Sequence, residues 1–337
     1  VTLCYTRLVL LRREKSVTVA TFDNVYLVPG WSEIESRHGI DLTPNSTDIA
    51  VFQNPIIAAP MDTVVNSEVA SIMRELGGSA VLHRYASIET QRDEFLEVPD
   101  GYQHGVFCAV GAAGDWWERF EELYAVGCRY FCVDVAHGFH KQVGLALARM
   151  STEKSDVHLM AGNVADIEGY DYLIDHGAHY VRVGVAGGSV CETRGKTGFG
   201  LPTLESVIRC ARSTRDGIIV ADGGLRDSGD IVKALACGAD MVMLGSMLAA
   251  HRESPGEVVE KDGVSYKVFR GMASEGAQKD WRGWVSVAEG RETLAPLKDR
   301  PLRKTVDTIL RGVKSGLSYA GCESLVGFSS RCRKVFS

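Results

Sequence analysis

Eight short apolar runs, separated by stretches with helical spacing, restrict what this chain can fold into more than any other feature. The runs cover residues 56–59, 79–83, 106–110, 130–135, 157–161, 180–183, 218–221 and 241–244. Each is short and rich in Val, Ile or small residues, as a strand buried on both faces should be. The spacing between them predicts helices over 67–76, 88–95, 115–125, 141–149, 165–176, 203–212 and 229–236. In the last of these Ile231, Ala234 and Leu235 repeat at helical spacing, and Gly238 supplies the stop; Gly127 and Gly177 end two others. Alternation of this count predicts an α/β fold, a (β/α)8 TIM barrel. The doubly wound open sheet is the rival. It calls for a GxGxxG directly after an early strand, and the sequence has none. At 337 residues the chain has room for one such barrel or for two ordinary domains.

In a barrel, chemistry collects where strands end and loops toward helices begin. The distinctive residues fall there repeatedly. Pro60-Met-Asp-Thr63 follows the first run and His83-Arg84 closes the second. Asp134 to Gly138 closes the fourth, and Gly162-Asn163 follows the fifth. Asp222-Gly-Gly224 follows the seventh and Gly245-Ser246 the eighth. This register points to an enzyme. The last two turns suit phosphate binding through backbone N–H groups, and the Asp222 carboxylate suits two ribose hydroxyls. The plainer reading is tight turns with Asp222 as a cap.

The sixth run leads into a loop with six glycines between Gly184 and Gly200. Such a loop turns sharply and approaches a ligand closely. Cys191 lies in its middle, two residues before Thr193. If the loop is extended, both side chains point the same way. Arg182, Arg194 and Lys196 flank the thiol, and a positive surround favours the nucleophilic thiolate. The alternative is a flexible surface loop with an incidental cysteine.

Composition excludes several classes. A net charge of −6 argues against a nucleic-acid-binding surface. Nine cysteines, an odd number without CxxC spacing, read as a reduced cytoplasmic protein without a zinc site. No apolar run is long enough to span a membrane. Val1 to Leu11 is mostly apolar and Arg12-Arg-Glu-Lys15 follows, the reverse of a secretory signal. Residues 1–20 are expected to be a mobile arm or to lie upstream of a natural start, with one catalytic domain over 21–337. Within that domain a flap is expected at about 272–295 and a helical tail at about 303–337.

The loop core Ser189-Val-Cys191 with Thr193 and Lys196-Thr-Gly198 resembles the catalytic loop of the IMP dehydrogenase/GMP reductase family. Similar pieces run from about Phe22 to Ala320, among them Ala59-Pro-Met-Asp-Thr63, Asp134-Val-Ala-His-Gly138, Met160-Ala-Gly-Asn163, Ala221-Asp-Gly-Gly224 and Phe269-Arg-Gly-Met272. The resemblance implies a TIM barrel in which Cys191 attacks C2 of a purine nucleotide. It implies nucleotide contacts for Met61, Ser189, Asp222, Gly223, Gly224, Gly245, Ser246, Met272 and Gly290. It implies cofactor contacts on the nicotinamide side for Asp134, Ala136, Asn163 and Arg182. A monovalent cation, K+, is implied at Gly184, Ala186 and Cys191. The family usually has glycine where Ala186 stands, often Pro or Ser at Gly187 and often Thr at Glu192. His137 and Met61 keep plainer readings, as a satisfied buried histidine and as core packing.

The resemblance also separates the branches. Leu82-His-Arg84 leads to Gly105-Val-Phe-Cys108 without room for a CBS insert. The Arg-Tyr pair with which dehydrogenases activate water is missing after Met272. The short segment 278–290 is similar to that of the reductases, with Glu289-Gly290 as their glutamate and following glycine. It departs at Ser286, where reductases usually have Arg, and in carrying Trp281 and Trp284. The activity implied is that of an NADPH-dependent GMP reductase, acting on GMP or a close purine nucleotide, with Cys191, Thr193 and Glu289 as catalytic residues. The family also implies a homotetramer. A CBS-free IMP dehydrogenase using NAD and a catalytically silent nucleotide-binding oligomer are the alternatives.

Overall fold

The computed structural model describes residues 18–44 and 51–337. Most of the expected N-terminal arm therefore lies outside the described residues. Of its described residues Thr18 and Val19 are exposed, whereas Ala20 is buried and its N–H donates to Glu205 at 3.0 Å.

A first strand, β1 (Val25–Val28), precedes the barrel. The barrel strands are β2 (Ile56–Ala58), β3 (Ser79–Leu82), β4 (Phe107–Val110), β5 (Tyr130–Asp134), β6 (His158–Val164), β7 (Tyr180–Val183), β8 (Ile218–Asp222) and β9 (Met241–Leu244). They pair in parallel, each with the next, and the ring closes where Ile56–Ala58 meets 242–244 of β9. All eight expected strands are present as a TIM barrel. The largest difference is β6, which runs on through Gly162 and Asn163, expected as a turn, because Val164 still pairs with Val183 across a bulge.

Side-chain parity along these strands builds two cores. Ile57, Val81, Phe107, Tyr130, Cys132, Met160, Tyr180, Val220 and Met243 point into the barrel with Phe52. The alternate residues, such as Ala80, Cys108, Phe131, Leu159, Val181, Ile219 and Val242, pack outward against the helices. This is the period of two expected of a strand. Counting on by two, Asp134, Arg182 and Asp222 take the inward parity one layer above Cys132, Tyr180 and Val220. Three charged groups therefore cap an otherwise apolar barrel interior.

The helices are α1 (Ser67–Glu75), α2 (Ile88–Glu97), α3 (Asp100–Gln103), α4 (Trp116–Ala125), α5 (Lys141–Glu153), α6 (Ile167–Asp175), α7 (Thr193–Thr197), α8 (Thr203–Cys210), α9 (Ser228–Ala236), α10 (Ser246–Ala249), α11 (Glu275–Arg282), α12 (Leu302–Tyr319) and α13 (Phe328–Arg331). Asn66, Ser87 and Asp227 cap α1, α2 and α9 by accepting a backbone N–H. The glycines expected to stop α4, α6 and α9 follow them with left-handed φ. The long helix α12 packs against α9 and α1 and so fills the eighth helical place. No described helix is long and apolar enough to cross a membrane.

Two small sheets were not expected. β10 (Val258–Lys261), β11 (Val264–Arg270) and β12 (Glu292–Pro296) form an antiparallel sheet after the last barrel strand. β13 (Arg333–Phe336) pairs with β1. The expected helical tail is thus helical only in part. The hairpin between β10 and β11 turns at Asp262-Gly263, both with positive φ, a two-residue turn of the kind that suits the twist of a hairpin.

Candidate active site

The charged cap of the barrel is a continuous network. Arg182 is 7% exposed, and its Nη1 donates to Asp134 Oδ1. Its Nη2 and Nε donate to Asp222 Oδ2 at 2.9 and 3.1 Å. Asn163 Nδ2 also donates to Asp222 Oδ2, at 2.8 Å, and to the Gly184 carbonyl at 2.8 Å. Burial alone would lower the Arg182 pKa, but the carboxylates of Asp222 and Asp134 outweigh it and raise the pKa well above its ordinary value. Below it, burial pushes the Cys132 thiol up to about 12, which leaves that thiol inert. β6 comes close enough for this only because Gly162 has no side chain: a Cβ there would lie 2.5 Å from Arg182 Cβ.

Three donors thus converge on one oxygen of Asp222. Among the described residues its Oδ1 has no hydrogen-bond partner, and Asp222 lines the cavity over the barrel. The turn after Asp222 is set by close approach. Gly223 has φ +92°, and a Cβ there would lie 2.9 Å from the Gly188 nitrogen. The glycine loop and the turn after β8 are therefore packed backbone to backbone. Ala186 holds φ 63° in the same loop, a conformation costly for a residue with a Cβ.

Cys191 is exposed, and its Sγ lies 3.3 Å from Thr193 Oγ1. The two face each other as expected, though for a different reason. The loop is not extended beyond the thiol: Thr193 opens α7, and the pairing comes from the turn into that helix. The expected positive surround is also corrected. Arg182 is buried between two carboxylates, and Lys196 lies 4.0 Å from Glu192. Of the three cations only Arg194 has no carboxylate partner among the described residues.

The flap reaches this loop through its backbone. Glu192 N–H donates to the Glu289 carbonyl at 2.7 Å, and Arg291 N–H to the Val190 carbonyl at 2.9 Å. Cys191 and Gly290 therefore form an antiparallel bridge. Arg291 Nη2 adds a bond to the Ser189 carbonyl at 2.8 Å. Cys191 and the flap residue Glu289 are thus carried on two segments joined by backbone hydrogen bonds.

These elements enclose one cavity of about 250 Å³. Every residue expected from the sequence to serve catalysis, nucleotide, cofactor or cation lines it. Met61 and Met272 stand on one side, and the Asp62 N–H lies 3.4 Å from Met272 Sδ. His137 is exposed and does not line the cavity, so the reading of it as a buried histidine is corrected. Tyr85 lines the cavity and was not expected; its hydroxyl donates to Asp134 Oδ2 at 3.4 Å, and Trp281 of the flap helix meets its ring at 5.2 Å. Asn163 gives both amide protons to the protein, which leaves its oxygen for a ligand. That oxygen suits a carboxamide donor such as that of a nicotinamide. For a cation, the Gly184 carbonyl is already shared with Asn163. Among the described residues no cluster of His, Cys, Asp and Glu could hold a metal ion.

Comparison with known proteins gives consistent results. A family model described as "IMP dehydrogenase / GMP reductase domain" matches residues 19–336. GMP reductase 2 of Homo sapiens is 36% identical over 325 residues, covering 92% of each chain. The GMP reductase of Vibrio atlanticus (strain LGP32) is 35% identical over 326 residues, again covering 92% of each. A crystal structure of a GMP reductase from Trypanosoma brucei in complex with guanosine 5'-monophosphate has a TM-score of 0.88 at 26% identity, covering 95% of both chains.

Proposed function

This chain belongs to the IMP dehydrogenase/GMP reductase family, and we propose that it catalyses the NADPH-dependent reductive deamination of GMP to IMP and ammonia. The relatives that it matches along nearly its whole length are named as GMP reductases, and the fold neighbour is a GMP reductase in complex with GMP. The short flap without an Arg-Tyr pair favours the same branch. One observation carries the reading: the backbone bridge between Cys191 and Gly290 brings a thiol and a flap carboxylate together over one cavity.

The Cys191 thiolate adds to C2 of GMP. The 2-amino group leaves as ammonia after Glu289, acting with Thr193, delivers a proton to nitrogen, since an amide-like anion is a poor leaving group. The product of this step is a thioimidate on Cys191. NADPH, when bound, supplies a hydride to C2, and release of the thiolate gives IMP. Asp222 Oδ1 holds the ribose, and Ser189, Gly223, Gly224, Gly245 and Ser246 hold the phosphate through backbone N–H and hydroxyl donors. Asp134, Ala136 and Asn163 line the cofactor side. Arg182, whose Nε, Nη1 and Nη2 each donate to Asp134 or Asp222, acts there by holding those carboxylates in place. A K+ ion at Gly184, Ala186 and Cys191, a homotetramer and a cytoplasmic location belong to the same reading.

The test is a pair of assays. With GMP and NADPH, loss of NADPH absorbance should match ammonia released, one for one. Oxidation of IMP by NAD without reduction of GMP would make the chain a dehydrogenase. Silence in both assays, with GMP still bound, would make it a nucleotide-binding oligomer. Light scattering reads the assembly.

A further inference from the structure

Arg270 stands outside the cavity at the end of β11, two residues before Met272, and faces in two directions. Its Nε and Nη2 donate to Asp62 Oδ2 at 3.0 and 2.6 Å. Its Nη1 donates to Asp280 Oδ2 on α11 at 2.6 Å. The two ends differ in exposure. Arg270 and Asp62 are 18% and 16% exposed, whereas Asp280 is 64% exposed. The Asp62 end is a nearly enclosed fork and fixes the guanidinium. The Asp280 end is a solvent-facing ion pair, of the strength that a movable element can break.

α11 in turn holds the chain that leads to Glu289. Gln278, 2% exposed, projects from α11, and its amide bonds the chain on both sides of the helix. Nε2 donates to the Ala273 and Val287 carbonyls at 2.9 and 3.1 Å, and Oε1 accepts the Ser286 N–H at 3.0 Å. Val287 and Ser286 are two and three residues from Glu289. A line of contacts therefore runs from the Met61 turn through Asp62, Arg270 and Asp280 to α11, and from Gln278 of α11 to the backbone just before Glu289.

We propose that Arg270 is a positioning residue: it sets α11 through Asp280, and α11 sets Glu289 through Gln278. The proposal rests on Glu289 being the proton donor in the reductive deamination. It gives the flap a light outer anchor that opens for loading while the Asp62 fork stays closed.

Asp280→Asn tests this, because the substituted side chain is exposed and packs in no core. Three measurements are made on the full chain. Amide hydrogen exchange over 275–290, which needs no activity, should speed up in the variant while the barrel strands stay unchanged. The kcat for ammonia release should fall by about two- to fivefold, the range of an exposed ion pair, with the GMP dissociation constant unchanged. Salt should lower the wild-type kcat toward that of the variant and leave the variant flat, since exposed pairs are screened. Arg270→Lys, which keeps the charge but lacks the fork, should behave like Asp280→Asn. Unchanged exchange over 275–290 would overturn the anchoring. Faster exchange with unchanged kcat would overturn the placing of Glu289. A wild-type chain inert toward GMP would sink the reductase reading alone, since exchange still reports the anchor.

Discussion

Asp222→Asn is the sharpest test of the nucleotide site. Three donors meet Asp222 Oδ2, from Arg182 Nε, Arg182 Nη2 and Asn163 Nδ2. An asparagine has one oxygen, and only that oxygen can face them; an NH2 group there would oppose three N–H bonds. The NH2 must then take the place of Oδ1 and point at the ligand. A charged acceptor becomes a neutral donor where the proposed site holds the ribose hydroxyls. Hydrogen bonds to a charged group are worth about 1.5–3 kcal/mol, which predicts GMP binding weaker by about 10- to 150-fold. The fold should survive with a smaller loss. Arg182 keeps Asp134, so the cost should be about 1–3 kcal/mol, below that of a fully broken buried pair. Calorimetric titration of GMP gives the first quantity and urea unfolding the second. A 2′,3′-dideoxy analogue should bind both proteins alike, because it has no hydroxyls to lose. A loss under about threefold for GMP, or an equal loss for the analogue, would refute the ribose role.

Cys191→Ala should cut turnover to below about a hundredth of wild type while GMP still binds, because no other thiol among the described residues lines the cavity; a steady-state assay with a binding titration checks both. Glu289→Gln should slow ammonia release by about 10²- to 10⁴-fold, the usual contribution of a positioned acid. Hydride transfer in the reverse direction, from IMP and NADP+, should suffer much less, and single-turnover traces of ammonia and NADPH would separate the two. Burial, with Glu97 nearby, pushes the Glu94 carboxyl up from 4.5 to about 7. The folded state then holds a proton that the unfolded chain releases. That contribution to stability is complete below pH 4.5 and is lost as pH rises through 7. Glu94→Gln should therefore stabilise the protein by about 1–2 kcal/mol at pH 8 and by almost nothing at pH 4, discounted for partial exposure. Denaturation at the two pH values reads the difference, and a pH-independent effect would contradict the assignment.

The barrel was legible because a strand buried on both faces has a simple pattern, and runs such as Tyr180–Val183 show it without interruption. The helix stops were legible because Gly127, Gly177 and Gly238 all adopt the left-handed φ that glycine tolerates. Cavity residues such as Asp134 and Asp222 were legible because strand ends place them, whereas Met272, Glu289 and Gly290 were expected only from the family resemblance. What was missed depends on partners distant in sequence. Nothing near Arg182 announces that Asp134 and Asp222 will enclose it, although counting by two from Tyr180 puts it inside the barrel. The small sheet was missed where Lys261-Asp-Gly-Val264 carries a hairpin signal between alternating residues. The strand β13 was not legible, since its partner β1 lies at the other end of the chain.

The bond from Arg291 to Ser189 spans 102 residues. Between its ends lie the last two barrel strands and most of the outer sheet. The loop bearing the thiol is therefore synthesised long before the strand that completes its surroundings. A ribosome-bound chain that has released only the first seven barrel strands carries Cys191 but not the flap residue Glu289. Under the proposed mechanism a thiol without its acid partner releases ammonia about 10²- to 10⁴-fold more slowly, so unfinished or partly folded chains should turn over little nucleotide. Contacts of such long separation also form slowly. The onset of turnover during refolding should consequently trail the appearance of barrel secondary structure, and the lag between the two marks the arrival of the flap.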